Sequence, residues 1–223
     1  AALLLKRQYY DVVGVFMRCW HPNSAPSASG LRRSESAHPN DCPTERDAED
    51  ARRVAGKLNI PFYVWDFKEE YKKKVMEYMI NGYRQGLTPN PDVMCNKEIK
   101  FGLFLEKALE MGADYVATGH YVRLEFRSQN LEFSKKNKKS LNPKSYILYS
   151  ARDKNKDQSY FLWTLTQEQL KHCLFPIGDY LKSEVRQMAR KAGLPTADKK
   201  DSQGICFLGK VTLDEFLSRY IPE

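Results

Sequence analysis

Asp11-Val12-Val13-Gly14-Val15-Phe16-Met17 is the stretch on which the fold turns. The run is short and almost wholly apolar, as expected of a strand covered on both faces in a parallel sheet. A helical pattern comes after it. Thr44-Glu45-Arg46-Asp47 reads as a capping box opening a helix. Ala48, Ala51, Val54, Ala55 and Leu58 then recur at helical spacing until Pro61 ends the pattern. Phe62-Tyr63-Val64-Trp65-Asp66-Phe67 reads as the next strand, and a helix is predicted over about residues 69–83. Ile99, Leu103, Phe104, Ala108 and Met111 stripe a further helix, with Gly112 suited to its C-terminal cap. Tyr115-Val116-Ala117-Thr118 is a third buried strand, ending at Gly119-His120. Strand and helix alternate, so residues 1–153 are expected to form an α/β domain with an open, mostly parallel sheet. In such sheets ligands sit beyond the C-terminal ends of the strands, where Met17 and Gly119 fall.

After Tyr121 the pattern changes. Val122-Arg123-Leu124 and Tyr146-Ile147-Leu148-Tyr149 read as hairpin strands. Between them lie Lys135, Lys136, Lys138, Lys139 and Lys144, either a solvated charge run or a phosphate-contacting one. Residues 154–223 read as a small, mainly helical domain, with short helices predicted over 166–172, 181–192 and 213–220. Residues 20–43 read as a long surface loop, rich in Pro, Ser, Asn and charge.

Composition narrows the function classes. A chain of 223 residues with 42% hydrophobic and 12% aromatic content can bury a proper core. No apolar run reaches the length of a membrane span, and Ala1-Ala2-Leu3-Leu4-Leu5 lacks the basic segment of a secretory signal. A membrane partner is therefore not expected. The net charge of +8 suits a polyanionic partner such as RNA, without requiring one. The five cysteines, Cys19, Cys42, Cys95, Cys173 and Cys206, form no C-x-x-C pair, so no zinc ribbon and no metal site is expected. An odd count suits a reducing cytoplasm, and Cys19, Cys42 and Cys173 read as ordinary small buried residues.

Chemistry concentrates in three segments. Thr88-Pro89-Asn90-Pro91-Asp92-Val93-Met94-Cys95 reads as a proline-stiffened loop that presents a carboxylate three residues before a thiol. A helix is predicted to begin after it, and the positive end of a helix dipole favours thiolate. Asp201-Ser202-Gln203-Gly204-Ile205-Cys206-Phe207-Leu208-Gly209 holds a second thiol on a glycine-bracketed loop. Read singly, each cysteine is either a reactive thiol or an incidental one. Lys156-Asp157-Gln158-Ser159-Tyr160-Phe161 offers a cation, a carboxylate and an amide before aromatics, either for RNA or as a charged turn. His120 alone reads more readily as structural than as catalytic.

Together these segments resemble the tRNA-specific 2-thiouridylases, the MnmA family. The resemblance runs through Gly14–Met17, Thr88–Phe101, Ala117–Tyr121, Lys156–Gln158 and Asp201–Gly209, in order and spacing. It implies an adenine nucleotide alpha-hydrolase (ATP pyrophosphatase) type of fold and ATP-dependent sulfur transfer to the wobble uridine of tRNA. ATP, with Mg2+, would adenylate the C2 oxygen, and a persulfide from a sulfur relay protein would displace AMP. By the same resemblance Cys206 carries the persulfide, Cys95 resolves it through a disulfide with Cys206, and Asp92 transfers a proton. Asn90, Pro91 and Asp92 would meet the target base, Met17 and Gly119 the nucleotide, and Lys156, Asp157 and Gln158 the tRNA.

The family's Ser-Gly-Gly-Val-Asp-Ser phosphate loop has no counterpart here, and Ala1–Lys6 resembles the helix that succeeds that loop. A truncated member is therefore expected, without the first strand and the C-terminal β-barrel, and with weak ATP binding. Three rivals stand beside this reading. One is another ATP pyrophosphatase of the same fold, which needs neither thiol. Another is a non-catalytic RNA-binding remnant. The third is a thiol redox protein that cycles a Cys95–Cys206 disulfide without tRNA.

Overall fold

The structure, a computed structural model, describes residues 1–19, 43–128, 144–200 and 212–221. Helix α1 (Ala2–Arg7) leads into strand β1 (Gly14–Arg18). Helix α2 (Pro43–Leu58) crosses to strand β2 (Phe62–Asp66), which pairs with β1 in parallel. The register sets Gly14 against Phe62 and Met17 against Trp65. The expected stripe of α2 is the one buried, at Ala48, Ala55 and Leu58. The helix begins at Pro43, one residue before Thr44, because proline's fixed φ suits a first helical position.

A continuous helical run, α3 (residues 68–84), carries a π-helical stretch at Lys72–Met76. It packs against α4 (residues 91–110), which is π-helical over Cys95–Leu103. A Lys74–Glu98 ion pair of 2.8 Å joins the two. Tyr71, Val75, Met76, Met79 and Ile80 of α3 and Ile99 of α4 form the main core with Phe67. Burying each such side chain stabilises the fold by about 1.5–3 kcal/mol. Gly112, with φ of 89°, ends the run after α4 in the left-handed region, as expected.

Strand β3 (Val116–Ala117) leads to a hairpin of β4 (Val122–Ser128) and β5 (Lys144–Ser150), paired antiparallel. A 3-10 turn at Ser159–Phe161 and helix α5 (Gln167–Leu170) precede strand β6 (Cys173–Leu174). Helices α6 (Lys182–Lys191) and α7 (Leu213–Leu217) come last, the latter capped reciprocally by Thr212 and Glu215. Strand β6 pairs in parallel with β3, with Val116 against Cys173. Phe216 of α7 is buried in the main core. The chain beyond residue 153 is thus tied twice to the part before it. Among the described residues the three strand pairs are not hydrogen-bonded to one another.

The described residues give an α/β fold with parallel strands, helical crossovers and a hairpin. None of their helices is long and apolar enough to cross a membrane. The lysines at 135–139 and the motif Asp201–Gly209 with Cys206 lie outside the described residues.

Candidate functional site

The site grows from the start of α4. Asn90 is extended, and its Oδ1 accepts from the backbone N–H groups of Asp92 (3.0 Å) and Val93 (3.1 Å). With Pro91 at the first helical position, this is a strong N-terminal signal. The helix therefore starts at Pro91 and not beyond Cys95. Asp92 lies in its first turn and Cys95 in its second, so the expected loop presentation of these two residues is corrected to a helical one. Both are half-buried. Burial raises the Asp92 carboxyl above the usual carboxylate range, against the pull of the Lys100 ammonium.

Cys95 packs at the margin of the main core, beside the cluster that also receives Met17, Met94, Leu213 and Leu217. Asn96 is 2% exposed, and its Oδ1 has no hydrogen-bond partner among the described residues. The i→i+5 bonding of the π stretch stacks residues five apart, so Lys100 lies after Cys95 on one face. Gly102 has φ −100° and ψ −105°, a kink inside the stretch. A Cβ there would lie 2.9 Å from the Lys97 carbonyl oxygen, so only glycine fits.

The second wall is the segment after β3. His120 is buried, with Thr118 Oγ1 at 2.8 Å from its Nδ1. Its ring lies 5.9 Å from that of Phe101 and 6.3 Å from that of Phe175. Burial, with the nearby Lys100 charge, lowers its pKa to about 3. It is therefore a neutral imidazole at physiological pH. Gly119 is exposed, and a Cβ there would meet nothing within 4 Å, so open space adjoins the backbone at this strand end. Met17 sits near the C-terminal end of β1. Next to it the Arg18 Nε is buried without a hydrogen-bond partner among the described residues, although Arg18 also meets Glu45 at 3.3 Å. An open glycine edge and an unsatisfied donor at strand ends fit an anionic nucleotide.

The Lys156-Asp157-Gln158 segment is braced. The Asp157 carboxylate accepts from Ala151 N–H (2.7 Å) and Ser159 Oγ (2.8 Å). Burial alone would raise its pKa; these hydrogen bonds hold it below the usual range. Gln158 Oε1 accepts from Tyr121 N–H (2.9 Å), and Gln158 N–H donates to the Tyr121 carbonyl (2.9 Å). The Gln158 side chain thus clips this segment to the residue after His120, the Asp157 side chain ties it to Ala151, and Lys156 is exposed. A cleft of about 470 Å³ lies elsewhere, beside the N-terminal end of β1, among Gly14, Phe62, Asp50 and Lys199. Among the described residues no three His, Cys, Asp or Glu side chains are grouped as for a metal ion.

A family model described as the tRNA methyl transferase HUP domain matches residues 1–210. The chain belongs to that family. Its α/β fold is accordingly the HUP domain of the adenine nucleotide alpha-hydrolase type. The relatives agree. The chain is 50% identical over 219 residues to the tRNA-specific 2-thiouridylase MnmA of Christiangramia forsetii, covering 98% of this chain and 50% of the relative. It is 46% identical over 223 residues to that of Akkermansia muciniphila, covering 100% and 55%. For Geobacillus thermodenitrificans the identity is 47% over 222 residues, covering 100% and 52%. The chain spans about half the length of these curated relatives. Sequence reasoning did not single out Asn96 or Lys100. The signal was present in Cys95-Asn96-Lys97-Glu98-Ile99-Lys100, but the register that makes them neighbours of the site is π-helical, and a 3.6-residue period does not reveal it.

Proposed function

We propose that this chain carries the sulfur-transfer chemistry of tRNA uridine 2-thiolation, in the cytoplasm, with a persulfide-donating protein as sulfur source. What supports this most is the pairing of family membership with the start of α4, where a half-buried carboxylate and a half-buried thiol stand one helical turn apart. ATP with Mg2+ would supply the adenylation that makes the C2 oxygen of the base a leaving group. Met17 and Gly119 would hold the nucleotide at the strand ends. Asn90 and Pro91 would approach the target base on either side of the helix start. Lys156 would reach tRNA phosphate, with Asp157 and Gln158 fixing the segment that presents it.

Asp92 would hold or move the proton of the base as C2 is attacked. Its carboxyl, raised above the usual carboxylate range by burial, holds a proton more readily than an exposed aspartate. The terminal sulfur of a Cys206 persulfide would bond to C2 as the C2–O bond breaks and AMP departs with the electron pair. The Cys95 thiolate would then attack Cys206 Sγ and break the S–S bond. The sulfur would stay on the base as a thiocarbonyl, and a Cys95–Cys206 disulfide would remain for a thiol reductant to reset. Cys206 lies seven residues before Leu213 in sequence, and Leu213 packs on the cluster that Cys95 borders.

The test is the 2-thiouridine content of tRNA after incubation with ATP and a persulfide donor. Cys206→Ser should abolish it and Cys95→Ser should lower it severely. ATP turnover to AMP that survives both substitutions, with no 2-thiouridine formed by the unsubstituted protein, would favour a different ATP pyrophosphatase. Salt-dependent tRNA binding with no thiolation by the unsubstituted protein would favour an RNA-binding remnant.

A further inference from the structure

Lys100 lies on α4, on the face that the π register shares with Cys95, and acts electrostatically on both Asp92 and His120. Its side chain is half-buried, yet among the described residues it has no hydrogen bond and no ion pair within 4 Å. Its neighbours Lys74, Lys97 and Glu98 are otherwise engaged with one another, at 2.8 Å and 3.5 Å. His120 cannot answer its charge, being neutral, and Asp92 is near without forming a direct pair. A half-buried ammonium with no direct ion-pair partner among the described residues is available to an anion that enters the site. The buried amide oxygen of Asn96, without a partner among the described residues, lies on the intervening turn.

We propose that Lys100 holds phosphate in this site, its ammonium receiving the anionic phosphate that stands beside the reacting uridine. The proposal rests on the thiolation reading above. As sulfur bonds to C2, the C2–O bond breaks and its electron pair leaves on the phosphate oxygen of AMP. Lys100 keeps its proton and neutralises that growing charge, a contribution largest in the transition state. A phosphate of the tRNA backbone next to the target base presents the same chemistry, so the test separates the two sources.

The experiment is trace acetylation of the protein with peptide mass spectrometry, tracking Lys100 with the exposed Lys156 as a second reporter. AMP, adenosine and an anticodon stem-loop RNA are the probes. Slower labelling of Lys100 with AMP but not adenosine assigns it to the leaving phosphate. Slower labelling with the RNA and not with AMP assigns it to the backbone. Labelling unchanged by AMP and RNA alike, or slowed equally by adenosine, overturns the proposal. In the thiolation assay Lys100→Gln should lose about tenfold or more in rate, the scale of one charged hydrogen bond, with Lys100→Arg retaining most of it. If Lys100→Gln, folded by its melting curve, thiolates tRNA normally, the proposal fails and the thiolation reading stands. If the unsubstituted protein thiolates nothing, that reading fails, and the labelling still decides whether Lys100 meets phosphate.

Discussion

His120 shows what burial does to one titratable ring. An unfolded histidine titrates near 6.5, whereas here burial and the Lys100 charge lower the pKa to about 3. Between those values the unfolded chain binds more protons than the folded one. Stability from this residue is therefore intact above pH 6.5 and falls as the pH drops toward 3, by at most about 1.4 kcal/mol per pH unit. His120→Phe keeps an aromatic ring between Phe101 and Phe175 and removes the titration. Urea unfolding at pH 7 and pH 4.5 should show the wild type losing more stability than the variant; equal losses would contradict this account. The sequence alone favoured a structural role for His120, and a lone histidine ending an apolar strand supports no more. What it could not show was Lys100, twenty residues earlier in the chain, acting on the same ring.

Helix α4 is the element that makes the site, and its form depends on two features. Asn90 and Pro91 start it early enough to carry Asp92 and Cys95 on its first two turns. Gly102 then accommodates the kink of the π stretch. Gly102→Ala drives a methyl to 2.9 Å from the Lys97 carbonyl and should cost on the order of 1–3 kcal/mol, read as a lower melting temperature. Gly56→Ala in α2 is the control. A Cβ there meets nothing within 4 Å, so the change should be neutral or gain up to about 1 kcal/mol. A harmless Gly102→Ala would show that the kink does not need glycine. The apolar stripe of α4 was legible only in part, and the π stretch explains why. Ile99 and Ala108 are buried as the helical period predicts, but so are Phe101 and Leu105, while Met111 is 62% exposed. Strand β6 escaped notice because two residues carry no period; Cys173 was legible only as a buried thiol, which it is, with burial raising its pKa to about 12.

At the scale of the whole molecule, the described segments on either side of the second thiol motif are both anchored. Before it, Lys199 Nζ lies 2.6 Å from carboxylate oxygens of both Asp47 and Asp50 on α2. After it, Phe216 is buried in the α3–α4 core, and Arg84 donates to the Tyr220 carbonyl at 2.9 Å. The Lys199 ion pairs are largely exposed and contribute little stability, about 0–1 kcal/mol each, so the apolar docking of α7 is the stronger anchor. The α/β class was legible from the alternation of strands and helices. The return of the chain through β6 and α7 was not, because such pairing is long-range and leaves no local pattern. These anchors bear on the central claim, that Cys95 resolves a persulfide carried by Cys206. Non-reducing peptide mass spectrometry after reaction with persulfide donor, ATP and tRNA tests it most directly. The account predicts a Cys95–Cys206 disulfide that grows in step with 2-thiouridine and is lost when either residue is changed to serine. Thiolated tRNA accumulating through a single turnover while both cysteines are recovered as free thiols would contradict it.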